Sequence, residues 1–291
     1  MIDDDQLRRR SVGTPAARSL LLTILGEYLL PRPEGVWYQT LVAALRCVGY
    51  REQAARQALS RSVRDGWLIA ERHGRRARLS LSASERELLG AGAQRIYSFG
   101  EPWTWDGGWL IVILRVPERS RARRHQLRSR LAWAGLGSLG AGVWITPHAE
   151  REQELAAAFA DEPDAEARSF RSRLGAIGDA RALAADAWDL DAVRAQYETF
   201  VADFSRLRPS TPEACFRAQT LLVHAWRRFP FLDPDLPAPL LAKRWPRARA
   251  QRLFADRHER WRREAQAHFA RLEAEPAAAS LRGHDRTTGR I

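Results

Sequence analysis

Residues Arg51–Leu81 read REQAARQALSRSVRDGWLIAERHGRRARLSL, and the period of the apolar residues changes partway along them. Ala55, Leu59 and Val63 repeat every four positions. They predict a helix over Arg51–Asp65 with that line turned inward and Arg56, Gln57, Ser60 and Arg61 turned outward. Gly66 ends it. Trp67, Leu68 and Ile69 open a strand, His73-Gly74 turns the chain, and Ala77, Leu79 and Leu81 alternate along a return strand. Eight arginines between Arg51 and Arg78 stand against Glu52, Asp65 and Glu71, a net charge of +5 in 28 residues. Charge alone fits a solvated arginine surface on a stable helical core. The order of helix, strand, arginine-rich turn and strand favours duplex DNA. Such a helix has the width to enter a major groove, and Arg72, Arg75, Arg76 and Arg78 on the ribbon reach flanking phosphates or a minor groove.

Upstream, Thr14-Pro15 is a helix start, with Thr14 as cap and Pro15 where a missing amide hydrogen costs nothing. Leu20, Ile24, Leu25 and Tyr28 follow at helical spacing until PRPEG breaks the run. Trp37 opens a second apolar stretch, with Leu41, Leu45 and Val48 on one side and Gly49 as its stop. Three helices and a ribbon make residues 15–90 a winged helix-turn-helix, with Arg51–Asp65 as recognition helix. Its candidate DNA contacts are Arg51, Arg56, Gln57, Ser60, Arg61, Arg72, Arg75, Arg76 and Arg78.

Downstream, residues 100–183 carry the almost unbroken apolar run WLIVILRV, Trp109–Val116, which reads as a central strand ended by Pro117. A basic helix, Glu118–Ala134, follows with Leu127, Leu131 and Ala134 inward; Val143, Trp144 and Ile145 form a second strand. Glu150–Phe159 is helical, DEPDAE is a loop, and Arg168–Leu174 is a third strand. This order predicts a ferredoxin-like α/β sandwich. Gly135, Gly137 and Gly140 spell the dinucleotide-binding G-x-G-x-x-G, but they follow a helix and precede a strand, the reverse of the context that pattern needs. They read as tight turning. The run Arg119, Arg121, Arg123, Arg124, Arg128 and Arg130 fits a solvated surface as well as it fits an anionic ligand.

Residues 186–275 are helical, with Val193, Tyr197, Phe200, Val201 and Phe204 inward on one long helix and Phe216, Leu222, Val223 and Trp226 on the next. PFLDPDLPAPLL is too proline-rich for regular structure. A last helix, Ala248–Leu272, bears Leu253, Phe254, Trp261 and Phe269, and the tail after Glu275 reads as loose. The fold class is therefore α+β in three segments.

At +12 net charge and a pI near 10.9, with nearly all the positive charge on arginine, the 291-residue chain calls for an anionic partner without choosing among DNA, RNA and membrane. Cys47 and Cys215 have no paired spacing, so neither a disulfide framework nor a cysteine metal site is expected. MIDDDQLRRR has no apolar signal core, and no uncharged apolar run approaches membrane-spanning length, so a cytoplasmic protein is expected. His258-Glu259 lacks the H-E-x-x-H spacing, and neither a G-x-S-x-G elbow nor a Walker loop is present. His148, His224 and His268 stand alone, as polar surface or core groups usually do. No cofactor or metal site and no enzyme activity is expected.

Three stretches together resemble the PaaX family of bacterial repressors of phenylacetate catabolism. They are SLLLTILGEYLLPR, ARQALSRSVRDGWL with the following GRRARLSL, and WLIVILRVPERSRARRHQLRSRLAWAGLGSLGAGVWITP. Leu136 stands where the family has Phe, and Ser62 where it commonly has an apolar residue. The resemblance spans Ser19–Leu272. It implies a winged N-terminal domain, a Cas2-like middle domain and a helical C-terminal domain. It also implies a homodimer on a palindromic double-stranded operator, and release by phenylacetyl-coenzyme A or a related acyl-coenzyme A. A non-specific architectural DNA-binding protein and a Cas2-like nuclease are the competing readings. The second is weakened because Arg115 falls where those nucleases carry an Asp.

Overall fold

The structure, a computed structural model, describes residues 17–101, 103–117, 121–160 and 165–284. Thr14-Pro15, Glu118, Arg119 and most of the DEPDAE segment lie outside the described residues. Helix α1, Ala17–Ile24, continues as a π-helical turn over Leu25–Leu29. Next come β1 (Val36–Trp37), α2 (Tyr38–Cys47), α3 (Glu52–Arg64), the hairpin β2 (Leu68–His73) and β3 (Arg76–Leu81), and α4 (Ala83–Ser98). The middle segment runs β4 (Gly108–Arg115), α5 (Arg121–Trp133), β5 (Gly137–Gly140), β6 (Val143–Thr146), α6 (Glu152–Ala160), β7 (Glu166–Arg173) and α7 (Ala180–Ala187). The remainder is α8 (Leu190–Ser205), α9 (Pro212–Trp226), the single turn α10 (Phe229–Leu232) and α11 (Arg247–His284).

The chain divides into two units, and the division cuts across the helical segment. Among the described residues, the first unit takes 17–97, 201–228 and 251–284; the second takes 98–200 and 229–250. Two of the three later boundaries fall inside helices, after Phe200 in α8 and after Ala250 in α11, and the third lies between α9 and α10.

In the first unit, Leu21, Ile24 and Leu25 meet Leu41 and Leu45 of α2 and Leu59 of α3, all fully buried. At about 1.5–3 kcal/mol for each large apolar side chain taken from water, these residues dominate the local energetics. Phe216 of α9 and Ala265 and Phe269 of α11 complete the same core. The Tyr28 ring lies 4.8 Å from Phe216 and 5.0 Å from Phe269, and its hydroxyl pairs with Thr220 Oγ1 at 3.3 Å. Burial pushes that phenol far above its usual range, so it stays a neutral donor. Burial also pushes His224, 3.0 Å from the Thr23 hydroxyl, down to about 3. His268 lies 3.6 Å from the Cys47 thiol.

Strand β1 pairs antiparallel with β3, placing Val36 opposite Leu79, and extends the hairpin into a sheet of order β1-β3-β2. Gly35 makes the approach possible, because a Cβ there would sit 2.5 Å from the Leu79 carbonyl oxygen. Helix α4 is not marked by an apolar stripe; only Glu85, Leu88 and Gly92 are buried along it. Its start is nevertheless encoded. Ser82 and Glu85 have capping-box spacing, and the Glu85 amide donates to Ser82 Oγ at 3.3 Å.

The second unit holds a four-stranded sheet of order β5-β6-β4-β7, every neighbour antiparallel, the order of a ferredoxin-like sandwich, with β5 added to the three strands predicted. Strand β4 is central and covered on both sides. Leu110, Val112 and Leu114 pack with Leu127 and Leu131 of α5 and Leu155 of α6, and Leu136 fills the same cluster. Trp109 and Ile145 pack with Ala184 of α7 and with Leu236, Leu240 and Leu241. That two-sided burial explains the unbroken apolar run. The glycine segment does more than turn: Gly137–Gly140 forms the edge strand β5, and a Cβ on Gly137 would lie 2.6 Å from both Ala187 and the Trp188 ring.

The proline-rich PFLDPDLPAPLL is not wholly irregular, since it contains α10 and a 3-10 turn at Ala238–Leu240. Asp233 explains the order. Its buried carboxylate accepts from Tyr197 Oη (2.6 Å), Arg247 Nε (2.8 Å), Arg247 Nη2 (2.6 Å) and the Asp235 amide (2.8 Å). The expected loose tail also differs. The α11 backbone stays helical past Glu275 to His284, through Ala277, Ala278 and Ala279, which are strong helix formers. Replacing Asp233 with Ala is expected to cost about 3–5 kcal/mol, the range for leaving a buried arginine without its partner. Urea denaturation followed by circular dichroism measures it, and a loss below about 1 kcal/mol would deny Asp233 this role.

Candidate nucleic-acid interface

Helix α3 presents two unlike sides. Ala55, Ala58, Leu59 and Ser62 are buried, so the inward line is wider than the Ala55, Leu59, Val63 row predicted, and Val63 is half-buried at its margin. Ser62 does not loosen the packing. Its hydroxyl donates to the Ala58 carbonyl at 2.9 Å, which satisfies a polar group with no exposed surface. The opposite side exposes Gln53, Arg56, Gln57, Ser60, Arg61 and Arg64, at the three- and four-residue spacing of one helical stripe. Arg51, just before the helix, is exposed as well.

Between that stripe and Tyr38 at the start of α2 lies a shallow depression of about 530 Å³ lined by Glu52, Gln53, Arg56, Gln57 and Ser60. Arg56 donates from Nε (2.9 Å) and Nη2 (2.6 Å) to Glu52 Oε1 and lies 5.8 Å from the Tyr38 ring. Those hydrogen bonds hold the Glu52 carboxyl below the usual carboxylate range. The pair keeps Arg56 aligned along the helix, and being exposed it exchanges readily for a phosphate or a base edge. At the far end of α3, Arg18 reaches Asp65 at 2.6 Å and lies 3.8 Å over the Trp67 ring, tying α1 to the helix terminus.

The predicted hairpin forms, with Leu68 opposite Leu81 and His73 opposite Arg76, but it turns at Gly74 and Arg75, one residue later than the His73-Gly74 turn expected. Arg72 and Arg75 are exposed; Arg76 is half-buried, its guanidinium 5.5 Å from the Trp37 ring. Arg78 departs from expectation. It donates to the Glu34 carbonyl (2.9 Å) and the Gly35 carbonyl (3.0 Å), lies 3.5 Å from Glu273 Oε1 and stands 5.2 Å from the Trp37 ring. Its donors are committed to the β1 turn, so it is a strut of the sheet and not an outward cation.

Sequence reasoning also missed three neighbours of the site. Gln53 and Tyr38 were legible one helical turn from residues already named. Glu273 was not, lying 236 residues from the group it holds. Its Oε2 accepts the Trp37 amide (3.1 Å) and the Thr40 hydroxyl (2.7 Å) where α2 begins, and the helix has no side-chain cap of its own. A carboxylate there satisfies an otherwise unpaired amide and opposes the positive end of the helix dipole.

Comparison with known proteins bears on this arrangement. A family model described as PaaX-like protein matches residues 16–85, one described as PaaX protein central Cas2-like domain matches 102–184, and one described as PaaX-like protein C-terminal domain matches 188–271. The chain belongs to the PaaX family. The transcriptional repressor PaaX of Escherichia coli (strain K12) is 31% identical over 261 residues, covering 83% of this chain and 79% of that relative. The solved structure of the uncharacterized protein Rv0674 from Mycobacterium tuberculosis superposes with a TM-score of 0.61 at 23% identity. It covers 87% of this chain and 99% of the other, a likeness of fold.

Replacing Glu273 with Ala in this PaaX-family protein is expected to lower stability by about 1–3 kcal/mol, because buried donors at the α2 start lose their acceptor. Urea titration of the single variants and of the double variant with Arg78→Ala checks the coupling, with the double loss smaller than the sum of the two. Strict additivity would detach Arg78 from Glu273.

Proposed function

We propose that the protein is a sequence-specific, DNA-binding transcriptional repressor whose residues 15–90 act as a winged helix-turn-helix. The observation that carries this reading is the exposed polar stripe of α3, Gln53 through Arg64, beside a hairpin whose Arg72 and Arg75 are exposed. The repressor activity of the E. coli relative supports it. In this reading α3 enters the major groove, where Arg56 and Arg61 pair with guanine edges and Gln57 with adenine, while Arg51, Ser60, Arg72, Arg75 and Arg76 take backbone contacts. Arg78 positions the wing from behind.

Repression by occupancy of a promoter places the protein with DNA in the cytoplasm. Among the described residues, no helix is long and apolar enough to cross a membrane. One winged module reads only a few base pairs, so a homodimer on a palindromic operator is the economical arrangement. Family resemblance adds an acyl-coenzyme A effector, phenylacetyl-coenzyme A or a relative, which lowers operator affinity by favouring a conformation unable to bind.

Selection from random duplexes tests the central claim and is expected to enrich a two-fold motif; enrichment of nothing beyond composition would indicate an architectural protein instead. On the selected operator, Arg61→Ala should cost about 1–3 kcal/mol with little change on random DNA. Arg75→Ala should weaken both alike and reduce the salt slope by about one phosphate charge. Identical behaviour of the two variants would remove the division between base and backbone contacts. For the dimer, light scattering should give about twice the 33.0 kDa chain mass. A monomer at DNA-binding concentrations would refute it.

A further inference from the structure

The second unit contains a cavity that the DNA-binding surface does not use. Its volume is about 430 Å³, within the range that holds small-molecule ligands, and its lining joins apolar walls to positive charge. Trp103, Leu236 and Trp245 supply the walls. Among the described residues, Arg181, Lys243 and Arg244 supply the charge against Glu101 as the one acidic lining residue, and a fourth cation, Arg247, is held by Asp233 and Asp235 at 2.6 and 3.0 Å.

The site is built from fixed parts. His148 is buried at 4.6 Å from the Trp103 ring, and its Nε2 lies 3.1 Å from the Asp235 carbonyl, to which Trp103 Nε1 also donates at 3.3 Å. Arg181 anchors its Nε to the Pro239 carbonyl at 2.7 Å, leaving its terminal nitrogens for another acceptor. Arg244 holds a left-handed backbone, φ 62°, that glycine would adopt more cheaply. The Trp245 indole nitrogen is buried and has no hydrogen-bond partner among the described residues. Aromatic walls, an unfilled donor and three cations around one cavity are the chemistry that receives an organic anion with an apolar body.

We infer that this cavity is the effector site, taking an anionic ligand whose phosphate or carboxylate groups meet Arg181, Lys243 and Arg244 while its apolar part lies against Trp103 and Trp245. The inference rests on the ligand-responsive repressor proposed above and adds the site. Lys243 and Arg244 are exposed, and glycine suits the Arg244 backbone, so the double variant Lys243→Gln, Arg244→Gly should fold as the parent does.

The test is calorimetric titration of full-length protein with phenylacetyl-coenzyme A, coenzyme A and phenylacetate, accompanied by thermal melts and operator binding without ligand. The thioester is expected to bind the parent and to bind the double variant at least tenfold more weakly, with operator affinity in the absence of ligand unchanged. Coenzyme A binding alone would assign the cations to phosphate, and phenylacetate binding alone would assign them to carboxylate. Either is consistent with an organic anion at this site, provided the double variant loses it. Equal binding by parent and variant would overturn the site and leave the ligand-responsive reading standing. Failure of all three probes to bind the parent would overturn both.

Discussion

Packing of Tyr28 between Phe216 and Phe269 is the contact on which the first unit depends. Three short helices and a hairpin bury too little apolar surface to be comfortably stable alone. Here helices from the far end of the sequence supply the missing side of the core. The same helices carry polar groups that finish the job. Glu273 satisfies the start of α2, Gln266 pairs with Arg32 at 3.0 Å, and Arg227 donates to the Ser19 carbonyl and hydroxyl at 2.8 Å each. The position of α3 thus rests on residues more than 140 positions downstream.

Arginine serves two ends in this chain, and net charge does not separate them. The π-helical turn leaves carbonyls without their usual partners; Arg32 donates to that of Tyr28, and Arg86 to that of Leu30 at 2.7 Å. Arg257 donates to the Ser205 carbonyl at 2.7 Å, and Arg78 reaches the β1 turn. Each guanidinium spreads several donors from one charge, which suits it to orphaned carbonyls that a lysine would reach only singly. Arg61 on α3 and Arg72 and Arg75 at the hairpin tip instead face solvent.

The sequence was legible where a local period governs. The four-residue repeat marked α3, the run Trp67, Leu68 and Ile69 marked the start of β2, alternation marked β3, and the continuous run at Trp109–Val116 marked a strand covered on both sides. It was illegible where only tertiary partners decide. Strand β1 is two residues long and exists because Gly35 lets it approach Leu79. Strand β5 is half glycine and has no alternation to read, while α4 lacks an apolar stripe and is signalled only by Ser82 and Glu85. For the interface, spacing gave the outward residues of α3. It could not reveal that Arg78 turns back to carbonyls 43 and 44 residues earlier.

Because the first unit is closed by residues as late as Leu272, its assembly has a time order as well as a shape. The ribosome delivers α1, α2, α3 and the hairpin early, yet their core lacks Phe216 and Phe269 until most of the chain has emerged. At about 5–20 residues per second, that interval is roughly 10–40 seconds. During it the arginine-bearing helix is exposed without the scaffold that orients it. A chain stopped before α9 therefore leaves Tyr28 without either of its aromatic partners, and the core beneath α3 open on that side.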